Sequence, residues 1–263
     1  MTTRIYLAIV LALSFLLYFS PTRIWAADTP AVRDTLAPKT MLFMGNSFVY
    51  YNNSLHNHTR KLVQSVFKED AKQFFFKSMT ISGSYLSDHA LGANGMIKDY
   101  RHKKKKGPWE VVVLQGQSRE PINKKKSAQF QASARQLNQL IRDTGSKTAL
   151  FMTWAYKDKP EMAQPLATAY TRMGNELDAL VVPVGLAFDL ARTENPAMEL
   201  YAKDKKHPSL LGTDLAANVF FATLYGQSPV GASYRAGLSD TEAAFAQDIA
   251  WKTVQGYFGK EIN

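Results

Sequence analysis

The residues of this chain that could perform chemistry are a serine, a histidine and an aspartate. Ser47 follows a short apolar run and the turn-forming residues Gly45 and Asn46, whereas Asp204 and His207 lie together much later in a polar segment. A hydroxyl nucleophile, an imidazole base and a carboxylate that orients the base are the components of acyl transfer. Since Asp204 precedes His207 by only three positions, one loop can supply both groups.

Acyl transfer also needs hydrogen-bond donors for the negatively charged oxygen that develops in the transition state. Two further clusters of small and polar residues contain such donors. Gly83 lies in the sequence SGS at 82–84, and Gln117 lies in the sequence QGQS at 115–118. Gly83 and Gln117 are therefore candidate oxyanion donors.

Hydrophobic patterning predicts the elements that must position these residues. Apolar runs at 41–44, 74–81 and 110–114 each end at one of the polar clusters, which is typical of buried strands followed by tight turns. Residues 148–155 and 180–188 predict a fourth and a fifth strand, although Pro183 indicates an edge or a bulge. Helical spacing occurs at 55–67, 127–143, 163–177, 213–224 and 240–258.

Strands that alternate with helices predict a parallel sheet covered on both faces. In such a sheet the carboxyl ends of the strands lie along one edge, and this edge is where ligands bind. The alternation therefore predicts that Ser47, Gly83 and Gln117 meet at one edge. The loop that contains Asp204 and His207 is expected to approach the same edge.

Four sequence blocks resemble those of the SGNH hydrolases, the GDSL-like esterase and lipase superfamily. The blocks are GNSF around Ser47, SGSYLSDH around Gly83, QGQS around Gln117 and DKKHP from Asp204 to Pro208, and they occur in family order. The last block matches the family pattern Asp-x-x-His-Pro in full. The resemblance covers residues 45–208 and implies the α/β class, a flavodoxin-like three-layer α/β/α sandwich with a central parallel sheet.

The resemblance also implies a role for each matched residue. Ser47 would be the nucleophile, His207 the base and Asp204 the carboxylate that orients the base. The backbone amides of Ser47 and Gly83 and the side chain of Gln117 would form the oxyanion hole. Gln117 replaces the more common Asn, as in some carbohydrate-esterase branches with a Gln-Gly-x-Ser type of block, and this departure favours acyl groups on sugars.

The leading segment has the pattern of a signal peptide. Arg4 precedes an apolar stretch at 5–19, and two alanines precede Asp28 at a position suited to cleavage. We expect residues 1–27 to be a signal peptide, 28–38 a linker and 39–263 one SGNH hydrolase-like domain. The protein is then exported, to a periplasm or to the medium. An uncleaved anchor is the alternative.

Composition limits the cofactors and partners. The 263-residue chain has no cysteine, so it forms neither a disulfide nor a thiolate metal site. His56 and His58 are two positions apart on a predicted helix and do not share a face, so we expect surface histidines rather than a metal pair. No metal and no organic cofactor is expected.

The net charge of +10 is concentrated in lysine-rich segments at 101–106 and 124–126. These segments predict solvated basic loops that can contact anionic envelope surfaces. They lack interleaved aromatic residues and any nucleic-acid motif, so no nucleic-acid partner is expected. The pattern makes no prediction of oligomeric state.

The combined expectation is an exported serine esterase without a cofactor. It would remove acyl groups, acetyl above all, from a carbohydrate or a related small ester through an acyl-enzyme. Two alternatives stay open from the sequence. A non-catalytic domain of the same fold would use its basic rim to bind an anionic envelope polymer, and an acyltransferase would share the first half of the mechanism.

Overall fold

The computed structural model describes residues 28–90, 97–98, 100–102 and 105–259, without the side chains of 100–106. The predicted signal peptide, residues 1–27, lies outside these ranges. The predicted linker at 28–38 contains no helix or strand, but it is attached to the body of the protein. The N–H groups of Leu36 and Ala37 both donate to the carbonyl of Leu224. Within the described ranges, no helix combines the length and apolar character needed to cross a bilayer.

Five parallel strands form the central sheet, and two short strands form a separate antiparallel hairpin. In chain order the strands are β1 (Thr40–Gly45), β2 (Phe75–Thr80), β3 (Tyr100–His102), β4 (Lys105–Gly107), β5 (Val111–Leu114), β6 (Lys147–Phe151) and β7 (Leu180–Val182). The sheet order is β2-β1-β5-β6-β7, and β3 pairs with β4. If the hairpin is left out, this is the flavodoxin-like order 2-1-3-4-5.

Helices cover both faces of the sheet. They are α1 (Ser47–Tyr50), α2 (Leu55–Val66), α3 (Leu86–Ala90), α4 (Ser127–Arg142), α5 (Ala163–Leu177), α6 (Val184–Glu194), α7 (Leu210–Tyr225) and α8 (Asp240–Phe258). Helix α7 packs against α2, α6 and α8 on one side of the sheet, and α4 packs against α3 and α5 on the other. The predicted three-layer α/β/α sandwich is confirmed.

The central strands are apolar on both faces because helices cover both faces of a parallel sheet. All four residues of β5 are buried, as are five of the six residues of β1. Helix α7 is buried along almost its whole length, which explains why its sequence is apolar all round. This rigid core fixes the positions at which β1, β2 and β5 end.

The structure corrects two local predictions. The fifth strand ends at Val182 rather than 188, because Pro183 is the N-cap of helix α6, which begins at Val184. Proline lacks the N–H that a strand ladder needs, and its fixed φ suits the start of a helix. The basic segment at 101–106 was expected to be an irregular loop, but its described backbone belongs to the β3–β4 hairpin. The fourth strand is confirmed, although it ends at Phe151.

A buried carboxylate in α7 predicts an unusual pH dependence of stability. Asp214 is 1% exposed, and one of its oxygens accepts a hydrogen bond from Asn218 Nδ2 at 3.0 Å. Burial raises the pKa of Asp214 to about 7. Between about pH 4 and pH 7 the folded protein therefore holds a proton that the unfolded chain releases. The free energy of unfolding then falls as pH rises through this window.

We expect Asp214→Asn to remove this dependence. Relative to the wild type, the variant should gain up to about 4 kcal/mol of unfolding free energy between pH 4 and pH 8, since one pKa unit corresponds to about 1.4 kcal/mol. Urea unfolding of both proteins at several pH values measures the difference directly. Parallel pH dependences of the two proteins would contradict the raised pKa.

Candidate active site

The turn after β1 presents Ser47 at the carboxyl edge of the sheet. Asn46 caps helix α1, because its Oδ1 accepts a hydrogen bond from the Phe48 N–H at 3.2 Å. The Asn46 Nδ2 donates to the carbonyl of Ser84 at 3.0 Å, so the turn is also tied to the loop after β2. Ser47 is thereby fixed as the first residue of α1, with its hydroxyl at the edge of a cleft.

Gly45 is required by the close approach of the next strand. The side chain of Gln115, at the end of β5, accepts a hydrogen bond from the Asn46 N–H through its Oε1 at 2.9 Å. A Cβ at position 45 would lie 2.3 Å from this Oε1 atom, which is shorter than any real contact. Gln115 and Gly45 together lock the serine turn onto β5.

The structure brings Ser47, His207 and Asp204 together. His207 Nε2 lies 2.8 Å from Ser47 Oγ, and His207 Nδ1 is in hydrogen-bond contact with Asp204 Oδ2. The other carboxylate oxygen of Asp204 accepts from the backbone N–H groups of Lys206 and His207, each at 3.0 Å. In this arrangement Nδ1–H donates to the carboxylate, and the serine hydroxyl donates to Nε2.

The pKa of Asp204 is low because of the hydrogen bonds that its carboxylate accepts. Burial alone would raise the pKa, but the hydrogen bonds from the His207 ring and from the Lys206 and His207 amides outweigh burial and lower it to about 2. The carboxylate is therefore ionised at any pH at which an imidazole can act as a base. An ionised partner keeps the Nδ1 proton of His207 in place.

Aromatic rings hold the imidazole from two sides. The Tyr51 ring stacks on the His207 ring with centroids 4.2 Å apart and planes 2° apart, and Phe48 meets the same ring edge-on. The backbone beside the histidine is fixed by Trp154, whose Nε1 donates to the carbonyl of Lys206 at 2.9 Å. The ring orientation that faces Ser47 is thus maintained by packing as well as by Asp204.

The predicted oxyanion donors lie next to Ser47. Gly83 and Gln117 both line the cleft that contains the serine. Among the described residues, the backbone N–H groups of Ser47 and Gly83 have no acceptor, so both can donate to a ligand. Gly83 has a φ of +66°, a conformation that favours glycine.

Gln117 is held by its own oxygen. Its Oε1 accepts from the Arg119 N–H at 3.1 Å, which leaves the NH2 end of the amide for a ligand. Beneath it, the buried carboxylate of Glu120 accepts from the backbone N–H groups of Gln117 at 2.9 Å and of Leu86 at 3.1 Å. Glu120 therefore ties the loop after β5 to the start of α3. Burial raises its pKa.

The cleft around Ser47 has a volume of about 350 Å³. Its walls are polar and aromatic rather than acidic: Asn46, Ser47, Phe48, Tyr50, Tyr51, Ser82, Gly83, Gln117, Ser118, Tyr156, Lys206 and His207. A larger groove of about 660 Å³ lies between α4 and α5, but none of the predicted site residues lines it. The smaller cleft is therefore the site that matters for chemistry.

The two neighbouring histidines are structural. His58 was expected at the surface, but it is 4% exposed, and its ring contacts the Asn52 carbonyl and the Tyr234 hydroxyl. This prediction was wrong because α2 lies beneath the turn that follows α1. His56 contacts Ser54 Oγ, and burial, followed by the charge of Arg60, lowers its pKa to about 4. No group of three metal-binding side chains occurs in the described part of the chain.

Sequence reasoning missed three residues that shape the site: Tyr51, Asn52 and Glu120. Tyr51 stacks on His207, and Asn52 donates to the carbonyls of Pro208 and Ser209. The only sequence signal was the Asn-Asn pair at 52–53, a dipeptide that tolerates left-handed backbone. Glu120 gave no signal, because nothing in its neighbourhood marks it as buried.

Comparisons with known proteins agree on the fold. No family model matches the chain, and no curated protein matches it by sequence. Among solved structures, a DUF4886 family protein from Bacteroides uniformis is similar, with a TM-score of 0.62 and 20% identity over 81% of this chain and 93% of that chain. A predicted SGNH hydrolase from Slackia heliotrinireducens is also similar, with a TM-score of 0.57 and 21% identity over 71% of this chain and 99% of that chain.

The acetylxylan esterase Axe2 from Geobacillus stearothermophilus is also similar, with a TM-score of 0.54 and 17% identity over 73% of this chain and 96% of that chain. The chain therefore has the α/β fold of the SGNH hydrolases, as its sequence blocks predict. At these identities the likeness describes the fold. The function must be argued from the cleft itself.

Proposed function

We propose that this protein is a serine esterase that removes small acyl groups, acetyl above all, from a carbohydrate. The observation that carries the proposal is the contact of 2.8 Å between His207 Nε2 and Ser47 Oγ, with Asp204 on the other ring nitrogen. Hydrogen-bond reach between a hydroxyl and a base that is itself oriented is the geometry of an activated nucleophile.

In the proposed mechanism, Ser47 Oγ attacks the ester carbonyl while its proton passes to His207 Nε2. The N–H groups of Ser47 and Gly83 and the amide NH2 of Gln117 stabilise the oxyanion. His207 then gives its proton to the leaving alcohol, which departs, and the acyl group stays on Ser47. Water, deprotonated by His207, attacks this acyl-enzyme and releases the acid and the free serine.

Two features support a small acyl group on a sugar. The cleft of about 350 Å³ is small, and the tyrosines at 50, 51 and 156 line it together with serine and amide groups. Flat aromatic faces and hydroxyl partners suit a sugar ring, and the similar Axe2 structure is named an acetylxylan esterase. We further propose that residues 1–27 direct the export of the protein, so that it meets its carbohydrate substrate outside the cytoplasm.

The purified protein should hydrolyse p-nitrophenyl acetate, and Ser47→Ala should lower the turnover by about 10⁴-fold or more, because no other group forms the acyl-enzyme. Ser65→Ala is the matched control, since Ser65 lies on α2 and its hydroxyl donates to the Leu62 carbonyl rather than to a residue of the cleft. The control should keep wild-type turnover. An inactive wild type would overturn the esterase proposal, and an active Ser47→Ala would exclude Ser47 as the nucleophile.

A further inference from the structure

Two cations near the cleft have no acidic partner among the residues that the structure describes. Arg119 and Lys206 are exposed, and neither forms an ion pair within the described residues. The Arg119 guanidinium lies 5.9 Å and the Lys206 ammonium 5.5 Å from the centroid of the Tyr156 ring. Two positive charges therefore lie near one tyrosine of the cleft, and no carboxylate in the described part of the chain forms an ion pair with either.

The backbone of each cation is attached to the candidate catalytic residues. The Arg119 N–H donates to Gln117 Oε1 at 3.1 Å, and the Lys206 N–H donates to Asp204 Oδ1 at 3.0 Å. The backbone of Arg119 thus lies beside the candidate oxyanion donor Gln117, and the backbone of Lys206 lies beside the candidate base. Both charges are held close to the place where an ester would bind.

The cleft offers no opposing charge. Among the described residues, its lining contains no aspartate or glutamate, and Lys206 is its one lysine or arginine. The carboxylate of Asp204, the acidic member of the candidate triad, already accepts hydrogen bonds from the His207 ring and from two backbone N–H groups. Like charges at the rim of the cleft repel each other, and a bound anion would be attracted to both and would offset this repulsion.

We propose that the alcohol half of the substrate is an acidic carbohydrate, a sugar with a carboxylate near its ester. The inference rests on the proposed esterase function and adds the substrate class. Arginine pairs with carboxylates through two parallel hydrogen bonds, and lysine adds a point charge. The tyrosine faces of the cleft take the sugar ring, while Arg119 and Lys206 take its carboxylate.

The test compares two O-acetylated methyl glycosides, one of galacturonic acid and one of galactose. We expect the wild type to have at least a tenfold higher kcat/KM for the acidic ester. Arg119→Ala and Lys206→Ala should each lower this ratio about three- to tenfold, and salt at about 0.5 M should also lower it by screening. Lys147→Ala, at the opposite end of β6, removes an exposed charge and should keep the ratio.

A ratio near one, or no hydrolysis of the acidic ester, would overturn the inference if p-nitrophenyl acetate is still hydrolysed. An inactive protein towards p-nitrophenyl acetate overturns the proposed function instead. A third substrate, an O-acetylated methyl glycoside of galactose sulfate, shows whether the site prefers a carboxylate to a sulfate. Equal rates for sulfate and carboxylate would reject a carboxylate site and indicate a general anion site.

A second inference rests on a different observation, the turn that follows α1. Asn52, Asn53 and Ser54 all have left-handed backbone, with φ of +51°, +67° and +71°. Such a conformation costs about 1–2 kcal/mol for a residue with a side chain, and it persists only where the surroundings fix it. Three consecutive residues of this kind lie directly beside the candidate site.

The side chain of Asn52 fixes this turn to the segment after His207. Its Nδ2 lies within hydrogen-bond distance of the carbonyl oxygens of Pro208 at 3.0 Å and Ser209 at 2.9 Å and of Thr213 Oγ1 at 2.8 Å, so its two N–H groups are shared among three acceptors. Its carbonyl accepts from His58 Nε2 at 2.5 Å. Burial lowers the pKa of His58, which favours the neutral ring.

We infer that Asn52 is a positioning residue, which keeps the imidazole of His207 against Ser47 and beneath the Tyr51 ring. Asn52→Gly tolerates the positive φ but removes the amide, and Asn53→Gly is the matched control on the same turn. We expect Asn52→Gly to lower kcat for p-nitrophenyl acetate at least tenfold with KM changed less than twofold, and to displace the pH–rate profile. Asn53→Gly should do neither.

If Asn52→Gly fails to fold, Asn52→Asp replaces it in the test. This variant keeps the side-chain volume but presents an oxygen instead of an N–H to the carbonyls of Pro208 and Ser209. Asn52→Asp should show the same loss of kcat. Thermal unfolding of each variant establishes that it is folded. Equal kcat values and equal pH profiles for folded variants at positions 52 and 53 would overturn the positioning role.

Discussion

Asp204→Asn is expected to lower kcat for p-nitrophenyl acetate about 10⁴-fold, the loss known for the equivalent change in a serine protease triad. The Nδ2 of asparagine would donate towards His207 Nδ1, so that the ring would carry its proton on Nε2. In that tautomer Nε2 donates a hydrogen bond and cannot accept the proton of Ser47. The geometry would be kept while the base is lost.

The pH profile tests the same assignment. Because the pKa of Asp204 is about 2, its charge does not change at neutral pH. The Asp204 carboxylate therefore contributes no step to the pH–rate profile near neutral pH, and the pH dependence of the rate reports whether His207 is free to accept the serine proton. Asp158→Asn is the control, because Asp158 is exposed in a nearby loop. A flat wild-type profile, or a loss below tenfold in Asp204→Asn, would contradict the roles of His207 and Asp204.

Gln117→Ala is expected to lower kcat about 10²- to 10³-fold, the usual effect of removing one oxyanion donor. KM should change less than threefold, because the amide acts on charge that exists only in the transition state. Gln117→Asn should restore part of the rate, since it keeps the amide with a shorter reach. Steady-state kinetics on p-nitrophenyl acetate measure both effects.

Gln131→Ala is the matched control for this change. Gln131 is an exposed amide on α4, in the groove that contains none of the site residues. It should keep the wild-type kcat. If kcat of Gln117→Ala equals that of the wild type, the oxyanion is held by Ser47 and Gly83 without the glutamine.

The sequence was sufficient for the fold because short apolar runs end at turn residues. The runs before Ser47, Gly83 and Gln117 became β1, β2 and β5, and these three strands are neighbours in the sheet. The prediction failed at 183–188, where an apolar run continues past a strand end. Local patterning cannot distinguish a buried helix from a buried strand there, and Pro183 decided the outcome.

The spatial meeting of Ser47, Gly83, Gln117, Asp204 and His207 was predicted, whereas their catalytic roles stay a proposal. Patterning could not predict the individual side-chain partners that support the site. Glu120 supports the oxyanion loop only because Leu86 and Gln117 approach it in the fold. Asn52 reaches Pro208 across most of the chain for the same reason. Such partners are set by packing and leave no periodic signal.

The most direct test of the central claim is covalent labelling of the serine. A fluorophosphonate reacts with an activated serine hydroxyl and stays bound to it. We predict that peptide mass spectrometry finds the adduct on Ser47, and that His207→Ala slows labelling at least 100-fold because no base takes the proton. An unlabelled Ser47 in the folded wild-type protein would contradict the serine esterase account.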